Sequence, residues 1–245
     1  MSIETVKTPR SAGAENDLPQ PNGVPPLQSG DHLSRAEFER RYHAHPEVKK
    51  AELIEGVVYV ALPVRHTQHG HPHFNIIGWL SFYCAFTPGV SGGDNSTTLL
   101  DLENEPQPDV LLRLDPALGG KTQVTPDGYL EGPPELIVEI AASSVSYDLH
   151  EKQRAYARNG VPEYLAIQVY EQRVDWFALH DGVYEPLAAD ERGIIHSEVF
   201  PGLWLQPAAL WSGDLAALLA TLQEGLASPQ HTTFKAGLQR PQGDM

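Results

Sequence analysis

The run ELIVEIAA at 135–142 sets the strongest limit on the fold. It reads as a strand buried on both faces, yet it carries Glu139 near its centre. Leu136, Ile137, Val138, Ile140, Ala141 and Ala142 surround that carboxyl with apolar side chains. Removing an unpaired carboxylate from water costs on the order of several kcal/mol, so the group must be protonated, paired or bound to a cation. From this strand alone two readings stay open: a salt bridge to a core-facing Arg or Lys, or a functional site.

The flanking sequence supplies further elements. Asp148 with Glu151 three residues on has helix-capping spacing, and Asn159-Gly160 then Pro162 stop the chain, which predicts a helix over 149–158. EYLAIQVY predicts a strand over 163–169, and RVDWFALHDGVYEPL a hairpin turned at Asp181-Gly182. Upstream, Ser34 and Glu37 predict a helix over 34–43. A hairpin follows at 52–54 and 57–62 around Glu55-Gly56. HPHFNIIGWLSFYCAF, with Pro72 in the first turn, predicts a helix over 72–86 buried on most sides. A short strand is expected at 97–102, a strand at 109–114, a small hairpin over 124–130 and a last helix over 213–226 capped by Ser212.

Residues 1–30 are rich in Pro and Gly and poor in large apolar side chains, so they read as a flexible leader. One domain is expected over 31–226, with 227–245 as a polar tail. The chain of 245 residues contains one cysteine, Cys84, which excludes an internal disulfide framework and a multi-cysteine zinc site. No apolar run is long enough to span a membrane, and the opening lacks the apolar and basic regions of a secretory signal, so no membrane partner and a cytoplasmic location are expected. The formal charge of −15 argues against coating nucleic acid through bulk charge, while permitting a local patch or a bound metal.

Asp109 is the second candidate acid. It begins an apolar strand, and if that strand neighbours the one carrying Glu139, both carboxylates project from one region of a sheet. Closely spaced carboxylates repel unless a hard divalent cation lies between them, and oxygen donors of this kind suit Mg²⁺ or Mn²⁺. Alone, Asp109 is equally a loop-capping residue. Lys152 falls between Leu149 and Tyr156 on the helix face that meets the sheet, so it borders the core. Alone, it reads as a snorkelling lysine.

In their order along the chain, Pro108-Asp109, Glu139 within LIVEIAASS and DLHEKQRAYARNGVPEYL resemble the Uma-two family of restriction endonucleases, a branch of the PD-(D/E)XK nuclease superfamily. The resemblance spans roughly 37–211 and includes the opening ELIEG and the closing FPGLWLQP. It implies an α/β (α+β) restriction-endonuclease-like core, a central mixed β-sheet flanked by helices, with N-terminal and C-terminal β-hairpin additions. It further implies that Asp109 is the PD-motif aspartate and Glu139 the acid of the (D/E)XK strand. The lysine position of that motif is Ala141 here, and Lys152 is the relocated candidate.

On this reading Asp109, Glu139 and the backbone carbonyl of Ile140 hold Mg²⁺ (or Mn²⁺), Lys152 positions the nucleophile or stabilises the pentavalent centre, and DNA is cut by hydrolysis. Glu52 matches the family's opening Glu-x-x-x-Gly pattern and is a further metal candidate, although a solvent-facing strand residue is the stronger reading. The resemblance also implies a homodimer. Ala141 and the −15 charge keep open a second reading, a catalytically silent nuclease fold that binds nucleic acid or protein. His66, His69, His71 and His73 form a third candidate, a zinc site. Pro72 interrupts their register and no H-E-x-x-H pattern appears, so a loop with His69 near substrate is preferred. Ser143 and Ser144 lack a base and read as loop residues. Trp176, Trp204 and Trp211 read as core or interface residues.

Overall fold

The computed structural model describes residues 23–61, 65–141 and 148–239. Ser34 caps α1 (Arg35–Ala44) through Glu37 N–H, the capping that its spacing predicts. A separate hairpin, β1 (Ala51–Ile54) and β2 (Val57–Val60), follows. Its turn holds Glu55 and Gly56 at positive φ, as a two-residue turn of matching twist requires. The leader read over 1–30 is corrected for its last residues, because Leu27 is buried with Phe38, Ala51, Leu53 and Val58. Gly30 N–H also bonds Val58 at 2.8 Å. Residues 1–22 lie outside the described residues.

The helix expected over 72–86 is α2 (His71–Phe86), preceded without a break by one π turn, His66–Gly70. It buries Pro72, Asn75, Ile76, Trp79, Leu80 and Tyr83, while Phe74 and Phe86 stay exposed, so it is one-sided rather than buried nearly all round. Six strands then form the central sheet: β3 (Val90–Asp94), β4 (Val110–Leu114), β5 (Leu136–Ala141), β6 (Glu163–Gln168), β7 (Arg173–His180) and β8 (Val183–Pro186), in spatial order β8-β7-β6-β5-β4-β3. Strands β5 and β6 run parallel, and the other neighbours antiparallel.

A parallel pair needs a crossover, which the π turn Asp148–Lys152 and α3 (Gln153–Arg158) supply. The hairpin β7–β8 belongs to the central sheet, and the C-terminal hairpin outside it is the pair Ile195–His196 and Trp204–Leu205. Short pieces at Thr98–Leu99, Gln123–Val124 and Leu130–Glu131 pair into a small three-stranded sheet.

The two faces of the central sheet differ. Leu136, Val138 and Ile140 of β5 face a large core with α2, Trp176 and the C-terminal helices. The alternate residues face α3, where Ile137 packs on Tyr156, Val161, Tyr164 and Ala166. The helix expected over 213–226 is two helices, α4 (Pro207–Ser212) and α5 (Leu215–Leu226). Gly213 turns between them in the left-handed region and Asp214, not Ser212, caps the second. The polar tail expected over 227–245 is also corrected: α6 (Pro229–Leu238) packs Phe234 and Leu238 on the core and buries His231, which bonds Thr87.

Candidate active site

Alternation along β5 sends Glu139 to the α3 face, opposite the main core. Asp109 immediately precedes β4, and because Val110 pairs with Val138, the register brings Asp109 beside Glu139 on that same face. A backbone bond ties the acids together, since Asp109 Oδ2 accepts Ile140 N–H at 2.8 Å. The carboxylate takes the place that a strand carbonyl would fill where β4 has not yet begun.

Lys152 is buried, with 2% of its surface exposed, and does not snorkel. Its Nζ donates to Glu139 Oε1 at 2.8 Å and to Glu52 Oε1 at 2.9 Å. Tyr156, one turn on, donates its hydroxyl to Glu139 Oε1 at 2.7 Å. Burial, then the adjacent Glu139 charge, keeps the Tyr156 phenol protonated far above its ordinary range, so it acts as a donor. Glu52 also accepts Gln107 N–H at 2.7 Å. The reading of Glu52 as a solvent-facing residue is thus corrected: it is buried and holds the site lysine. The hairpin clasps the crossover twice more, through Tyr59 to Glu151 and through Glu55 to Arg154 and Arg158.

Asp109 has a different set of partners. His69 Nε2 lies 3.1 Å from Oδ2, and Lys50 Nζ 3.4 Å from Oδ1. His73 Nε2 lies 2.9 Å from the Asp109 carbonyl and 3.1 Å from Asp94 Oδ1. Burial disfavours the ionised carboxyl, but the His69 bond, the Lys50 charge and the Ile140 N–H outweigh it and hold Asp109 well below the usual carboxylate range. Asp109 is therefore a carboxylate at neutral pH. Formally, three carboxylates (Asp109, Glu139, Glu52) face two ammonium groups.

The fold thus brings Asp109, Glu139, Lys152 and Glu52 together. The π turn leads straight into α2, so Pro72 does not interrupt the register as expected, and the rings of His69 and His73 meet at 5.3 Å. His66 and His71 are exposed. Ser143, Ser144 and the Asp148 side chain lie outside the described residues. The sequence reading missed Lys50, whose Lys49-Lys50 pair looks like solvated charge, and the Tyr156 hydroxyl, which it placed only as a sheet-facing ring.

Hard oxygen donors from Asp109 and Glu139 fit Mg²⁺ or Mn²⁺. Among the described residues no three His, Cys, Asp or Glu side chains are grouped so as to hold a metal. An ion here would rely on two carboxylates, with backbone oxygen and water completing its shell, as Mg²⁺ commonly does. The same finding leaves the histidine cluster without a zinc cage.

A mixed sheet that presents an aspartate, a glutamate and a lysine from the following crossover on one face defines a restriction-endonuclease-like protein. Residues 35–208 match the Uma2 family, described as "Putative restriction endonuclease", and the chain belongs to that family. Its fold resembles the crystal structure of "a putative nuclease belonging to DUF820 from Anabaena variabilis ATCC 29413" at a TM-score of 0.51 and 14% identity. That likeness covers 66% of this chain and 90% of the other. No curated protein matches the chain. Among the described residues no helix is long and apolar enough to cross a membrane.

Proposed function

We propose that the protein is a metal-dependent endonuclease that hydrolyses DNA phosphodiester bonds, with Asp109, Glu139 and Lys152 as its catalytic residues. The observation that carries this reading is the buried Lys152 ammonium 2.8 Å from Glu139. It stands in for the motif lysine that Ala141 cannot provide. Asp109, Glu139 and the Ile140 carbonyl would hold Mg²⁺ or Mn²⁺, which would supply activation of water and neutralisation of phosphate charge.

The chain's own groups do the rest. Asp109 stays ionised and fixed against β5 by Ile140 N–H. Tyr156 fixes the direction of Glu139. Lys152 presents a preorganised cation to charge developing on the phosphorus oxygens, which in a water-poor site costs no reorganisation during the reaction. Glu52 shares the ammonium and sets its position, a holding role in place of the metal role considered from the sequence.

The active form is a homodimer in the cytoplasm, so that two sites cut two strands. Light scattering of the purified protein tests the dimer. The second reading, a nuclease fold that binds without cutting, draws on Lys152 being engaged by two carboxylates at once.

Nicking of supercoiled plasmid by purified protein separates the two readings. With Mg²⁺ or Mn²⁺ wild type nicks, chelation stops it, and Asp109→Ala, Glu139→Ala and Lys152→Ala each lower the rate by roughly 100-fold or more. Equal nicking by all four proteins means a contaminant, and binding without cleavage under either metal selects the second reading.

A further inference from the structure

The face that carries Glu139 continues past the acids toward β7. In the sheet register Ala141 pairs with Gln168, and Gln168 pairs with Arg173. Directly opposed residues on neighbouring strands point to the same face, so Ala141, Gln168 and Arg173 form one row across it. The row beside it runs through Glu139, Ala166 and Asp175. Gln168 is buried, which is costly for an amide unless its hydrogen bonds are made.

The Gln168 amide is spent on Asp175, to which its Nε2 donates. Asp175 in turn accepts Arg173 Nε at 3.0 Å. This chain of bonds grips the guanidinium by its inner nitrogen. Among the described residues the outer nitrogens, Nη1 and Nη2, make no hydrogen bond or ion pair, and the Arg173 side chain is 58% exposed. Arg158, by contrast, meets three carboxylates, those of Glu55, Asp101 and Glu103. In a chain of formal charge −15, a braced guanidinium with a free fork on the acid-bearing face calls for an anionic partner.

We propose that Arg173 binds a backbone phosphate of the nucleic-acid strand, with Asp175 and Gln168 as the residues that position it. The inference rests on the nuclease reading and adds to it a substrate contact away from the reacting centre. Two inter-strand steps separate Arg173 from Ala141, about 10 Å. The phosphate it takes is therefore not the scissile one but one a few nucleotides along. Paired Nη donors match the geometry of two phosphate oxygens.

The test is binding of a fluorescein-labelled DNA duplex, followed by anisotropy without divalent cation over a range of salt concentrations. Arg173→Gln weakens binding about fivefold and lowers the slope of log affinity against log salt by about one, the signature of one lost phosphate contact. Arg192→Gln, which removes an exposed arginine paired to Glu224, changes neither. A purely structural role for Arg173 lowers the melting temperature and leaves the salt slope alone, and that result overturns the proposal. So does duplex binding by Arg173→Gln with wild-type affinity and slope. Failure of wild type to bind any duplex instead removes the nuclease reading on which the proposal stands.

Discussion

Glu139 on β5 and Glu163 on β6 are carboxyls of adjacent parallel strands, both buried, and the protein satisfies them in opposite ways. Glu139 lies on the α3 face with an ammonium, a phenol and a second acid around it. Glu163 lies on the other face among neutral donors: Trp176 Nε1, Ser197 Oγ and the N–H groups of Glu198 and Val199, all within 3.1 Å. Those donors do not overcome desolvation, and burial pushes Glu163 up to about 7. One carboxyl is a fastener that pins the 197–200 segment to the sheet. The other shares its ammonium with a second acid, the arrangement on which the proposed hydrolysis rests. Burial of an acid does not mark a candidate site; a buried ammonium and a second acid beside it do.

Exchanging the side chains separates these roles. Glu139→Gln keeps the shape and one acceptor oxygen for Lys152 and Tyr156, so cleavage falls about 1000-fold while melting moves little. Glu163→Ala orphans four donors, those of Trp176 and Ser197 buried, and costs about 3 kcal/mol or more, yet the folded fraction cleaves at the wild-type rate. Plasmid nicking alongside thermal melting gives both numbers. A large loss of cleavage in folded Glu163→Ala would dissolve the distinction.

The pH dependence carries the same contrast. Folding raises Glu163 from 4.5 to about 7, so the folded protein holds a proton that the unfolded chain has released. Its contribution to stability is full below pH 4.5 and is lost as pH rises through 7. Glu163→Ala abolishes that part of the stability profile, whereas Glu139→Gln leaves it in place.

Much of the site was legible in the sequence because it obeys local periods. Glu139 is anomalous inside an apolar strand, and Lys152 and Tyr156 fall one turn apart on the face that α3 turns to the sheet. Glu52 was misjudged because the pattern of a two-stranded hairpin says nothing of what covers its outer face. Here Ala51 and Leu53 meet α1 while Glu52 meets Lys152. Glu163 drew no notice, since a charged residue just after Pro162 looks like the exposed start of a strand. The register linking His69 to His73 was read as interrupted at Pro72 because a π turn running into a proline-containing helix has no simple spacing rule. The C-terminal helix was missed for want of an apolar stripe, as it meets the core through Phe234, Leu238 and the polar His231.

Removing the phenol sharpens the picture around Glu139. Tyr156→Phe deletes one donor to a buried acid, worth about 1.5 kcal/mol, and leaves the ammonium in place. Cleavage falls about tenfold through kcat with KM unchanged. If the loss instead equals that of Glu139→Gln, Tyr156 takes part in the chemistry rather than in holding the carboxyl still.

A third buried acid extends the comparison to a carboxyl with neither kind of partner set. Glu105 bridges β1 through its backbone, and its Oε2 is buried without a hydrogen-bond partner among the described residues. Burial first, and then the charge of Glu39, pushes it up to about 8, against a smaller opposing pull from Arg35. Between pH 4.5 and 8 the folded state therefore retains a proton that the unfolded state gives up, and stability declines across that window. Glu105→Gln is neutral at every pH and offers Glu39 an amide donor. It should match wild type near pH 4.5 and exceed it by about 4 kcal/mol at pH 8, read from melting curves at both pH values. A constant difference across the range would mean that Glu105 is ionised in the folded protein, with its charge balanced by Arg35, and would place it beside Glu139 rather than apart from it.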